Sequence, residues 1–123
     1  MIAVDTSVLA RYLDGILDSR IASVLDAFTK GEAALPPIVI AELLSNPSLT
    51  SEQAAFVLTI PSLEVDPGMW ARAGILRANL LRRGFKAHLA DCLIAQCCID
   101  NDAPLITYDR DFRHFEKAGL RVI

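Results

Sequence analysis

No stretch of this 123-residue chain approaches the ~20 consecutive apolar residues that a membrane-spanning helix needs, although 53% of its residues are hydrophobic. A basic segment followed by a long apolar run, the mark of a secretory signal, is also missing; the chain enters "MIAVD" at once. These absences point to a soluble cytoplasmic protein with no membrane role. Cysteine is scarce and odd in number: Cys92, Cys97 and Cys98 are the only three, all in one segment. That excludes a secreted disulfide framework, and the spacing matches no zinc motif. His88 and Cys92, four apart, can share a helix face, but the preferred reading is that the cysteines are small buried hydrophobes. His88 and His114 are the only two histidines. Neither has an evident partner, which disfavours histidine general-base chemistry. There is no internal repeat, low-complexity segment or linker. One domain spanning residues 1–123, with a full core, is expected.

What is present is unevenly charged. Residues 1–66 carry three basic and nine acidic groups, whereas residues 67–123 carry nine basic and six acidic ones, for a net −3 overall. An asymmetry of this kind can mark a polyanion-binding face.

Short apolar runs alternate with helical patterns. "IAVD" reads as a strand ending in Asp5, followed by a helix capped by Thr6 or Ser7. Residues 18–29 repeat apolar positions at helical spacing. "GEAALPP" reads as a turn and short strand leading to a helix from about Ile38. "SLTSEQAAFVLTI" carries a capping signal, "SLEVD" alternates as a strand, and "PGMWARAGILRANLLRRG" runs from Pro67 to Gly84 as a helix. "HLADCLIAQCCID" is a helix, "APLITYD" a strand, "RDFRHFEKAG" a short helix and "LRVI" a last strand. The alternation predicts an α/β three-layer sandwich, with a short, mainly parallel sheet flanked by helices. Sites in such sheets lie beyond the carboxyl ends of the strands, where Asp5 and Asp109 fall.

Four acids stand out because each is embedded in apolar sequence: Asp5 after "MIAV", Glu42 in "IVIAELL", Asp91 in "LADCLIA" and Asp109 after "APLITY". Asp91 is the sharpest case, a carboxylate inside a helix that is apolar almost all round. An unpaired buried carboxylate is costly or takes up a proton. Asp109 or Asp111 can instead cap the helix that begins near Phe112, but Glu42 and Asp91, read as mid-helix, have no arginine nearby in sequence. A common cause for all four is a shared divalent cation. Carboxylate oxygens suit Mg2+ or Mn2+, and a metal held this way supports phosphodiester hydrolysis.

"IAVDTSVL", "LPPIVIAELL", "HLADCLIA" and "LITYDRDF" resemble, in order and spacing, the four acidic motifs of PIN-domain ribonucleases. The resemblance runs from Met1 to Ile123 and is nearest to the compact VapC-type toxins of bacterial toxin–antitoxin pairs. It implies a PIN-like fold and a Mg2+-dependent endoribonuclease. It implies that Asp5, Glu42, Asp91 and Asp109 bind the metal, with hydroxyls from Thr6 or Ser7 and from Thr107 orienting water or a carboxylate. Asp111 matches a frequent acid of the last motif and is expected to cap a helix or stand behind the site. The resemblance also implies a homodimer silenced by a cognate antitoxin whose tail enters the active-site groove.

RNA needs cations beside such a site. Arg82, Arg83 and Lys86, just before the Asp91 helix, are expected at its rim, together with Arg11, Arg110 and Arg113. Trp70 is expected in the core or a dimer interface. Leu13, Ile16, Leu17 and Ile21 are a candidate antitoxin groove. Two other readings compete: a non-catalytic module of the same fold that binds a protein, and a metal-dependent phosphatase of the haloacid dehalogenase type. The second is disfavoured because "DTSV" lacks the aspartate two residues after Asp5 that such a nucleophile motif carries.

Overall fold

The computed structural model describes all residues, Met1–Ile123. Ile2–Val4 forms β1, the central strand of a three-stranded parallel sheet in the order β2-β1-β3. β2 is Ala33–Ala34, with Ile2 opposite Ala33 and Ala3 opposite Ala34. β3 is Leu105–Ile106, with Ala3 opposite Leu105 and Val4 opposite Ile106. Ala3, Val4, Ala33, Ala34 and Leu105 are all buried, as expected for parallel strands covered on both faces.

Seven helices flank this sheet. They are α1 (Thr6–Leu13), α2 (Ser19–Thr29), α3 (Pro37–Leu44), α4 (Ser51–Thr59), α5 (Met69–Arg82), α6 (Leu89–Asp100) and a 3-10 helix over Arg110–Ala118. The result is the α/β architecture that the sequence predicts. None of these helices is long and apolar enough to cross a membrane.

The helix ends follow from local chemistry. Asp5, not Thr6 or Ser7, caps α1: its carboxylate accepts from the Ser7 N–H, and the two hydroxyl residues lie inside the helix. Thr50 and Gln53 form a reciprocal capping box on α4. Pro37 begins α3 at a position where its missing N–H costs nothing. The chain turns after α5 at Gly84, with φ +84°, a conformation that disfavours side chains with a Cβ.

Two expected strands are not strands. "SLEVD" meets the sheet at one residue, Ser62 opposite Leu35, and "LRVI" at one, Val122 opposite Leu105. Leu35 exchanges backbone hydrogen bonds with Pro61 and Leu63, and Leu105 with Arg121 and Ile123, so each contact is a single bridge and not a ladder.

The core is one cluster of 28 buried residues. α6 runs through it with Cys92, Ile94, Ala95, Gln96, Cys97 and Cys98 buried, packed chiefly along α5. A helix that is apolar on every side must be surrounded in this way. Burial raises all three thiols above the ordinary range, Cys97 to about 11. They are free and buried, as expected of small hydrophobes.

Candidate active site

The strand order contains a reversal. From β1 the chain crosses one way to β2, and later returns to place β3 on the other side of β1. The crevice beyond the carboxyl ends of β1 and β3 is therefore a topological switch point, the place where open α/β sheets form sites. Asp5 leaves β1 there, and Thr107 and Asp109 leave β3 there.

Asp5 is only 4% exposed. Its Oδ2 accepts from the Ser7 hydroxyl at 2.7 Å and the Thr107 hydroxyl at 2.7 Å. The Thr107 oxygen in turn accepts the Asp109 N–H at 2.9 Å, and the Ser7 oxygen accepts the Tyr108 N–H at 3.0 Å. Two hydroxyls thus tie the exit of β3 to the entry of α1 and fix the Asp5 carboxylate between them. Glu42, on α3, is exposed despite its apolar sequence neighbours, and its Oε1 accepts from Thr6 Oγ1 at 2.6 Å. Asp109 caps the 3-10 helix through Oδ1 and the Asp111 N–H, at 2.9 Å. Asp111 is exposed in the first turn and caps nothing.

Asp91 is not mid-helix. It is in the first turn of α6, partly exposed, with no hydrogen bond to its side chain. Its carboxyl is pushed up to about 6, first by burial and then by the negative charges of Asp109 and Asp5. Glu42 adds to the rise, and His88 opposes it. Four acids from four separate segments therefore share one electrostatic field, and Asp91 carries its cost.

As the side chains stand, no three His, Cys, Asp or Glu groups are arranged to hold a metal ion. The hydrogen bonds supply a physical reason, since three of the acids direct an oxygen at a hydroxyl or a backbone N–H instead of at one another. Each nevertheless keeps one oxygen uncommitted: Asp5 Oδ1, Glu42 Oε2 and Asp109 Oδ2, with both oxygens of Asp91. No side-chain polar atom sealed inside the protein lacks a partner.

Cations border the acids on one side. A cavity of about 270 Å³ is lined by Arg20, Arg110 and Arg113 together with Thr107, Tyr108 and Asp109. Arg20 donates to the Thr107 carbonyl at 2.9 Å, and the Arg11 guanidinium lies 3.8 Å from the centre of the Tyr108 ring. The Tyr108 hydroxyl donates to Asp18, which raises the phenol and lowers the carboxyl. Arg20 and Tyr108 escape a reading of the sequence. Arg20 opens α2, far from any acidic motif, and Tyr108 reads as an ordinary strand residue.

Three expectations are corrected. Arg82 and Arg83 line a separate cleft that none of the four acids borders, and Lys86 is exposed outside it. Trp70 is 59% exposed and so is not core, because α5 buries Met69, Ala73, Leu76 and Leu80 and turns the indole outward; the dimer-interface alternative is untouched by this. Ile21 is fully buried and belongs to the core, not to a groove with Leu13, Ile16 and Leu17.

A PIN-domain family model matches residues 2–118, and the chain belongs to that family. Solved structures share its fold. One chain of VapBC2 from Rickettsia felis, bound to a DNA fragment from the promoter, superposes with a TM-score of 0.78 at 24% identity, over 100% of this chain and 98% of its own. FitAcB from Neisseria gonorrhoeae gives 0.75 at 22%, over 100% and 96%. VapBC-5 from Mycobacterium tuberculosis, of the VapBC family of toxin–antitoxin systems, gives 0.68 at 23%, over 99% and 96%. No curated protein sequence matches the chain.

Proposed function

We propose that this PIN-domain protein is an endoribonuclease dependent on Mg2+ or Mn2+, and the toxin of a toxin–antitoxin pair. The observation that carries the reading is that Asp5, Glu42 and Asp109, from three other segments, all act on the Asp91 carboxyl, and that each acid keeps an oxygen free of hydrogen bonds. An all-oxygen, carboxylate-rich donor set suits a hard divalent cation. When bound, such an ion activates water at neutral pH and offsets charge developing on phosphorus. In the net reaction a water oxygen bonds to phosphorus, the ester P–O bond breaks and the leaving oxygen takes a proton.

The chain's own groups have distinct tasks. Ser7 and Thr107 hold Asp5, and Thr6 holds Glu42. Arg20, Arg110 and Arg113 offer cations beside Asp109 for the phosphates that flank the scissile bond. One solved structure of like fold, VapBC-5, is described as a member of a family of toxin–antitoxin systems, which supports a protein antitoxin as partner. A homodimer is part of the same proposal and rests on the resemblance of the sequence motifs alone.

The deciding measurement is cleavage of a mixed RNA by the purified chain. Scission is expected when Mg2+ is supplied, and none in excess chelator. Binding of RNA or of a partner protein without scission at any metal concentration would favour the non-catalytic module.

Thr107 tests the positioning argument. Thr107→Val keeps the shape but removes the donor to Asp5 and the acceptor for the Asp109 N–H. Loss of such a supporting hydrogen bond typically costs about 10–100-fold in activity or metal affinity. Both cleavage and the Mg2+ concentration for half-activity are expected to suffer, and Thr107→Ser is expected to restore them. A variant that melts lower but keeps its metal dependence would reduce Thr107 to a structural role.

A further inference from the structure

The cleft that contains Arg82 and Arg83 is distinct from the acidic crevice. It has a volume of about 450 Å³ and lies between the end of α5 and the 3-10 helix. Leu76 and Leu80 form its apolar floor, and Arg82, Arg83, His114 and Lys117 form its walls. No acid lines it. Its cations are not consumed by ion pairs: Arg82 donates to the neutral Asn79 side chain at 2.9 Å, and Arg83 and Lys117 enter no salt bridge. The secondary structure explains the convergence. With three residues per turn, the 3-10 helix stacks His114 and Lys117 on one face, and that face is turned to the basic end of α5.

We infer that this cleft is a second nucleic-acid site, which grips the backbone of a single-stranded RNA segment away from the point of cleavage. The choice of RNA over an acidic peptide rests on the ribonuclease reading and on the His114 ring, which lines the cleft among its cations. Phe85, outside the lining, backs that ring at 4.7 Å and carries the Arg83 guanidinium at 5.0 Å, so both are held in place. Positive groups that track phosphates beside a ring on which a base can stack are how single strands are held without sequence preference. A peptide carboxylate would use the cations and leave the ring idle.

The experiment is a binding titration of a fluorescent single-stranded RNA against the full chain in chelator, so that no cleavage occurs, repeated across salt concentrations. The double variant Arg83→Gln/Lys117→Gln is compared with wild type and with Lys30→Gln/Arg121→Gln, which removes two cations that face carboxylates elsewhere. Two lost phosphate contacts are expected to flatten the slope of log affinity against log salt by about 1.4, at about 0.7 each for a single strand. The control pair is expected to change it little. An unchanged slope and affinity in the Arg83/Lys117 variant overturns the inference. So does a loss confined to binding of a polyglutamate probe, which would make the cleft a protein site. The two readings fail separately: RNA held through this cleft but not cut with Mg2+ sinks the ribonuclease, whereas cleavage with an unaltered salt slope sinks the second site.

Discussion

Asp5→Asn is expected to reduce metal-dependent RNA cleavage by more than about a hundredfold while leaving the protein folded. Removing a group that only supports a ligand already costs about 10–100-fold, and Asp5 offers its oxygen directly to the crevice. The fold survives because asparagine caps helices about as well as aspartate, so α1 keeps its start. The conflict arises on the other side of the group. Ser7 and Thr107 both donate to Asp5 Oδ2. The amide must present its single carbonyl to those two hydroxyls and its NH2 to the crevice, or the reverse. In the first case the site loses an acceptor, and in the second two donors face a donor. Neither arrangement restores the lost negative charge. The variant should also lose the rise in melting temperature that Mg2+ gives the wild type, since an ion that binds only the native state stabilises by about 2.7 kcal/mol at a hundred times its Kd. Expressed alone in a bacterium, wild type is expected to arrest growth and the variant to permit it. Near wild-type cleavage by Asp5→Asn would remove Asp5 from the proposed site.

Much of this architecture can be read in advance because its signals are local. The parallel strands are short apolar runs, and Thr50 and Gln53 announce α4. The four acids can be picked out because charge inside apolar sequence needs a cause. Signals that depend on distant packing are not legible. Glu42 sits among apolar neighbours, but α3 turns it outward to Thr6. "SLEVD" alternates correctly, yet alternation does not say whether a partner strand extends alongside, and here only Ser62 finds one. Trp70 was decidable: buried positions at 69, 73, 76 and 80 follow a helical stripe that leaves residue 70 off its centre. Arg20 was not, because its approach to Thr107 spans 87 residues of sequence.

Asp91→Asn separates what the crevice costs in stability from what it gains in chemistry. The Asp91 carboxyl stands at about 6 in the folded protein, against about 3.9 in an unfolded chain. At this group the folded state therefore binds more protons between those values, and the contribution of Asp91 to stability should fall as pH rises from about 4 to about 6, then level off. Two units of displacement correspond to roughly 3 kcal/mol. Asp91 is partly exposed, so solvent screening brings the expected effect nearer to about 1 kcal/mol. Asparagine has no proton to lose. The variant should be more stable than wild type by about that amount at pH 8, and the advantage should vanish near pH 4. Saturating Mg2+ should reverse the ranking, because the ion favours the ionised carboxylate and removes the repulsion from Asp109, Asp5 and Glu42. Cleavage, by contrast, should be lost at every pH. Denaturant titrations at pH 4 and pH 8, with and without Mg2+, decide the matter. If the stability difference does not depend on pH, Asp91 does not bear the charge of the cluster. If the variant gains stability and still cuts RNA, the cluster is electrostatically real but Asp91 is no part of the chemistry.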